Sequence, residues 1–228
     1  MRQHPGIAFP AGKEVHFWDM HISRGVPWYF SRFGAVPDKL AGDITPAYSI
    51  LPRRCIERLL EACPDTQFFM VLRNPIDRAW SLAKMNAGHL LDTANSLGFE
   101  GQPGLKFDEI GDDWFIRQFN MRGSLVRGRY DFCLENWFSV VPPEQLLILD
   151  FDELRSEPKG FLTRVHNHCG LDDDWLDKQS SEFFEKKVFG SAEHALPARL
   201  RAVLRELYAD SIDRLGRLLD RDFSHWLQ

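Results

Sequence analysis

Two short stretches hold the side chains best suited to chemistry. The first is Lys13-Glu14-Val15-His16-Phe17-Trp18-Asp19. Polar and apolar residues alternate along it, which predicts a short strand. On a strand, Glu14 and His16 share one side. A carboxylate and an imidazole converging there can take a proton from a hydroxyl nucleophile. Lys13 adds a cation and Asp19 a second carboxylate. A solvated edge strand with ordinary charges would show the same pattern. The second stretch is Arg73-Asn74-Pro75-Ile76-Asp77-Arg78-Ala79-Trp80-Ser81. Here an arginine follows a dense apolar run and precedes a helix start. Ligands of open α/β sheets sit at that strand edge, and an arginine there can grip a phosphate with two donors. Ser81 offers a hydroxyl two helical turns further on. A structural junction with Arg73 paired to a carboxylate would use the same residues.

The elements that must position these groups follow from pattern. Residues 67–72 are apolar and bounded by turn residues, as a buried parallel strand reads. Asn74 then reads as the N-cap, Pro75 as the first helical residue, and Asp77 as an acid matched to the helix dipole. A helix follows Pro52, with Ile56, Leu59, Leu60 and Cys63 on one face. Residues 87–106 are rich in Gly, Asn and polar groups and read as a long loop. Residues 130–140 read as a helix, and residues 145–150 as a second buried strand. Residues 157–169 read as an amphipathic helix stopped at Gly170. A long helix starts near Pro197, with Leu200, Val203, Leu204, Leu207, Ile212, Leu215 and Leu219 at helical spacing. Strands alternating with helices predict an α/β fold with a mostly parallel sheet. Gly42-Asp43-Ile44-Thr45-Pro46-Ala47-Tyr48-Ser49 reads as a turn and by itself carries no function.

Composition narrows the partners. The 228 residues are 44% hydrophobic and 27% charged, which suits one domain spanning residues 1–228. A net charge of −5 gives no global basic field for nucleic acid. No apolar run is long enough to span a bilayer, and the first ten residues lack a signal-peptide core. The expected location is cytoplasmic. Cys55, Cys63, Cys133 and Cys169 lack CxxC spacing and read as reduced thiols. No metal site is expected. His166 and His168 are two apart and read as part of a helix surface. Gly12-Lys13 misses the Walker A spacing, and Glu14 stands where that loop carries Ser or Thr.

Taken in order, the Lys13–Asp19 stretch, the Gly42–Ser49 turn and the strand ending in Leu72-Arg73-Asn74-Pro75 resemble the sulfotransferase family. The likeness is strongest to its heparan-sulfate and bacterial branch. It runs on through residues 127–158, Gly170-Leu171 and a C-terminal helix ending near Trp226. The resemblance implies a P-loop-NTPase-like three-layer α/β fold. It implies sulfuryl transfer from 3′-phosphoadenosine 5′-phosphosulfate (PAPS) to a hydroxyl or amine, in a small molecule or a glycan. It assigns the 3′-phosphate to Arg73 and Ser81 and the general base to Glu14. His16, Asp19 and Lys13 stand at neighbouring catalytic positions, and Lys186 and Lys187 are possible cofactor contacts. Family members begin with a strand and a phosphosulfate loop, whereas Met1-Arg2-Gln3-His4-Pro5 resembles the chain after them. The expectation is therefore a chain without that strand and loop. The alternative is a truncated or degenerate member that binds only adenosine 3′,5′-bisphosphate. Ile44 stands where heparan-type members often carry Lys, which weakens any assignment of heparan sulfate itself.

Overall fold

The computed structural model describes residues 3–12, 14–34, 38–96, 104–185 and 194–228. Along the chain run β1 (Ile7–Ala8), α1 (Val26–Ser31), β2 (Leu40–Ala41), α2 (Arg53–Ala62), β3 (Phe68–Leu72), α3 (Pro75–Ser96), α4 (Asp112–Asn120), α5 (Arg122–Gly128) and α6 (Tyr130–Phe138). They are followed by β4 (Leu146–Asp150), α7 (Phe151–Ser156), α8 (Pro158–His168), α9 (Asp174–Asp177), α10 (Ser181–Glu185) and α11 (Ala198–Leu219). The chain divides into two compact units, Met1–Leu72 with Cys133–Lys186, and Arg73–Phe132 with Lys187–Gln228.

The first unit contains all four strands. β3 pairs in parallel with β4, from Phe68 opposite Leu146 to Leu72 opposite Asp150. A second parallel pair joins Ile7 to Leu40 and Ala8 to Ala41. Both apolar runs thus form the parallel pair expected of them. Leu149 packs with Phe161 and Val165 of α8, which covers β4. Gly170, at φ +67°, ends the chain's helical path after α8. α2 buries Ile56 and Leu59 as its periodicity requires.

His166 departs from the surface role expected of it. It is fully buried, its ring meeting His4 edge-on at 4.9 Å. His4 also meets Trp175 at 5.0 Å, and its Nδ1 accepts from the Gly6 N–H at 3.1 Å. His168 turns its Nε2 to the Phe68 carbonyl (2.8 Å) and ties α8 to the start of β3. The reason is local: the helix lies on the strand pair, so its histidines face protein rather than water. Burial, and then the nearby His166, hold the His4 imidazole below its ordinary 6.5. The unfolded chain therefore takes up a proton more readily than the folded one. Stability from this group is complete above pH 6.5 and declines as pH falls below it. Urea unfolding midpoints are expected to drop between pH 7.5 and pH 5, and to drop less in a His4→Asn variant.

The second unit is helical. α11 lays Leu200, Leu204, Tyr208, Ile212 and Leu215 into its core. Gly128 allows Tyr208 in: a Cβ there would lie 2.6 Å from the Tyr208 ring. Asp131 is buried, accepts from Arg214 Nε at 2.7 Å and is also bonded by Ser211. Burial alone would raise its carboxyl, but those bonds and the Phe132 N–H outweigh it and hold the group below the usual carboxylate range. α3 runs to Ser96, so much of the loop expected over residues 87–106 is helix. Ala83 and Ala87 keep its inner face buried, and Gly88 is tolerated within it. Residues 97–103 of that stretch lie outside the described residues.

Candidate active site

The Lys13–Asp19 stretch is not a strand. Glu14 and Val15 are irregular, His16 takes the left-handed conformation (φ 53°, ψ 30°), and Phe17–His21 form one π-helical turn. The turn is closed by the His21 N–H on the His16 carbonyl at 3.0 Å. Side chains replace the missing ladder partners. Thr45 Oγ1 accepts from the Val15 N–H (3.1 Å), and the Tyr48 hydroxyl accepts from the Phe17 N–H (2.9 Å). Phe17 and Trp18 point into the core, and Phe17 stacks on Tyr29 at 4.9 Å. The alternation that predicts a strand is real, but among the described residues no strand pairs with it.

This fold gathers three of the four candidate catalytic residues. His16 Nε2 lies 3.0 Å from Glu14 Oε2, and its Nδ1 lies 2.9 Å from Asp19 Oδ2. One imidazole is thus held between two carboxylates. A neutral imidazole can donate to only one of them; an imidazolium donates to both. The arrangement orients the ring and gives a proton arriving on Glu14 an immediate neighbour. Lys13 lies outside the described residues.

The turn over residues 42–49 acquires a role that it lacked as sequence. Asp43 accepts from the hydroxyls of Thr45 (2.7 Å) and Tyr29 (3.3 Å). Burial first, and then the Asp43 charge, push the phenols of Tyr29 and Tyr48 above their ordinary range, so both keep their protons. Asp43, Thr45 and Tyr48 therefore form the bracket that holds Glu14 and His16 in place. A Thr45→Val substitution leaves the buried Val15 N–H without its acceptor. It is expected to cost about 1–3 kcal/mol of unfolding free energy, measured in urea.

In the second unit, Arg73 follows β3 directly. Its N–H donates to the Tyr130 hydroxyl at 3.4 Å. Asn74 caps α3 as predicted: its Oδ1 accepts from the Ile76 N–H (2.9 Å), while its Nδ2 donates to the Trp226 carbonyl (3.1 Å). Pro75 has no N–H and that of Ile76 is taken, so the first two helical positions offer no donor to a ligand. The anion donors at this junction are side chains. Arg73 and Ser81 are both half-buried, and Ser81 lies on the second turn, roughly 9 Å along the axis from Pro75. A guanidinium and a hydroxyl are each donors suited to a phosphate. Arg78, which the motif also carries, turns its Nη2 to the Ser124 carbonyl and ties α3 to α5. Lys186 and Lys187 lie outside the described residues. Among the described residues, no three His, Cys, Asp or Glu side chains gather to hold a metal ion.

A pocket of about 130 Å³ in the first unit has Glu14, His21, Arg24, Trp28 and Arg32 in its walls. Of the aromatic residues in this part of the chain, Trp18 and Tyr29 are core residues and Phe30 is exposed, while Trp28 is half-buried at this pocket. Arg24, Trp28 and Arg32 recur every four residues, but Gly25 at φ 81° interrupts the helical path between the first two, so helical periodicity does not group them.

Residues 19–177 match the model of the Sulfotransferase family. A mouse heparan sulfate glucosamine 3-O-sulfotransferase 6 is 32% identical over 177 residues, covering 75% of this chain and 47% of that protein. A mouse heparan sulfate glucosamine 3-O-sulfotransferase 3B1 is 30% identical over 248 residues, covering 98% and 59%. The chain spans about half the length of the curated relatives it matches. Among solved structures, a sulfotransferase from Alicyclobacillus acidocaldarius superposes with a TM-score of 0.68 at 22% identity, over 99% of this chain and 90% of that one. A mouse sulfotransferase complexed with PAP gives 0.54 at 15% identity, over 96% and 79%. These likenesses show a P-loop-like α/β fold. With the family model matching most of its length, the chain belongs to the Sulfotransferase family.

Proposed function

We propose that this chain transfers a sulfuryl group from PAPS to a hydroxyl or amine of a saccharide. The observation that carries the reading is His16 held between Glu14 and Asp19. PAPS supplies the sulfuryl group. Glu14 takes the proton of the attacking hydroxyl or amine as the new bond to sulfur forms and the bond from sulfur to the 5′-phosphate oxygen breaks, adenosine 3′,5′-bisphosphate leaving. His16, fixed by Asp19, keeps the Glu14 carboxylate oriented and shares the proton it receives. Lys13, beside Glu14 in sequence, supplies positive charge for the transferring group. Arg73 and Ser81 hold the 3′-phosphate of the nucleotide. The names of the relatives support a glycan acceptor, since they act on glucosamine of heparan sulfate.

The test is transfer of radiolabelled sulfate from PAPS to a panel of oligosaccharides and small alcohols. Labelled saccharide is the expected product. Label confined to small alcohols overturns the acceptor class, and no transfer to any acceptor overturns the activity.

A further inference from the structure

The pocket beside Glu14 carries charges of both signs. Glu14 lines it together with Arg24, Trp28 and Arg32, and both arginines lie over the Trp28 ring, their guanidinium carbons 4.8 Å and 5.5 Å from its centroid. Trp28 is itself anchored, with Phe17 at 6.1 Å and His21 at 5.8 Å. The Phe17–His21 turn that follows His16 therefore also fixes the platform under the two cations.

These arginines differ from others on this chain. Arg53, Arg164, Arg199, Arg214 and Arg217 each pair with a carboxylate. Among the described residues, Arg24 and Arg32 pair with none. Cation–π contact holds them on one ring instead. The two guanidinium carbons can be no farther apart than the sum of their distances to its centroid. Two like charges held on one ring repel, and an anion bound in the pocket that both line is attracted by each of them. Glu14 repels the same anion, so it settles nearest the arginines. Size limits it too: pockets for whole drug-sized ligands begin at roughly 300 Å³, whereas this one, at about 130 Å³, suits a single charged substituent.

We propose that Arg24, Arg32 and Trp28 form an anion-reading subsite that selects acceptors carrying a carboxylate or sulfate near the reacting group. Attraction by the arginines and repulsion by Glu14 turn the acceptor so that its neutral hydroxyl or amine faces Glu14. This rests on the acceptor reading given above. It assigns specificity to side chains that no catalytic step uses.

Calorimetry on the full chain tests it without requiring turnover. The probes are a disaccharide bearing a carboxylate, one bearing a sulfate, and the same disaccharide with neither. The wild type is expected to bind both anionic probes about tenfold or more tighter than the neutral one, with the preference shrinking as salt rises. An Arg24→Gln/Arg32→Gln variant should bind all three alike, and Arg24→Lys/Arg32→Lys should recover part of the preference. Both arginines are exposed, and thermal unfolding of each variant confirms its fold. Preference for only one probe identifies the group read. Equal binding by the wild type, binding of none, or a preference surviving the Gln variant overturns the proposal. Preserved binding with no sulfate transfer overturns the catalytic reading and leaves the subsite standing.

Discussion

Glu14→Gln is expected to lower kcat for sulfuryl transfer by about 10²–10⁴-fold, the usual contribution of a positioned general base. Gln keeps the size of the side chain and can still meet His16 Nε2, so the pocket wall stays in place while the basic oxygen is lost. Affinity for adenosine 3′,5′-bisphosphate should not change. His16→Asn is expected to reduce kcat less, because it removes the orienting ring and leaves the carboxylate. Pre-steady-state measurement of a single turnover separates the chemical step from product release. A Glu14→Gln enzyme within a few-fold of wild type would move the proton transfer to another group.

Arg73→Ala is expected to weaken adenosine 3′,5′-bisphosphate binding by about 10- to 100-fold. A hydrogen bond to a charged group contributes about 1.5–3 kcal/mol, and each 1.4 kcal/mol is about a factor of ten. Ser81→Ala removes a single hydroxyl and should cost about 2- to 10-fold. If both contact one phosphate, the double variant will lose less than the product of the two single losses. Strict additivity would place the two side chains on separate groups of the nucleotide. Unchanged affinity in Arg73→Ala, with its unfolding midpoint intact, would remove Arg73 from the nucleotide site altogether.

Much of this molecule is legible in the chain because its signals are local. The apolar runs that became β3 and β4 are legible from their hydrophobic density, although Phe69 of β3 is exposed rather than buried. The Asn74-Pro75 cap is settled by two side chains and one backbone bond. The Leu200 to Leu215 face of α11 follows from its period. The candidate site reads less well, because its positions are set by contacts across many residues. Val15 and Phe17 find their acceptors 30 and 31 residues away, on Thr45 and Tyr48. No pattern internal to residues 13–19 records those hydroxyls, so alternation alone suggests a strand. The Arg24–Trp28–Arg32 grouping escaped for a different reason: Arg24 and Arg32 flank α1 rather than belong to it, and Gly25 at φ 81° turns the chain between Arg24 and the helix. The extension of α3 to Ser96 runs against residue propensity at Gly88 and Asn95, and Ala87 is its last buried residue.

The left-handed backbone at His16 has a practical consequence for probing the triad. Glycine is at ease at φ 53°, whereas a β-branched replacement is strained there. His16→Gly therefore deletes the imidazole without distorting the turn and leaves a ring-sized gap between two carboxylates. Free imidazole added to the solvent can occupy that gap, so chemical rescue of this one variant separates what the ring does from what the peptide conformation does.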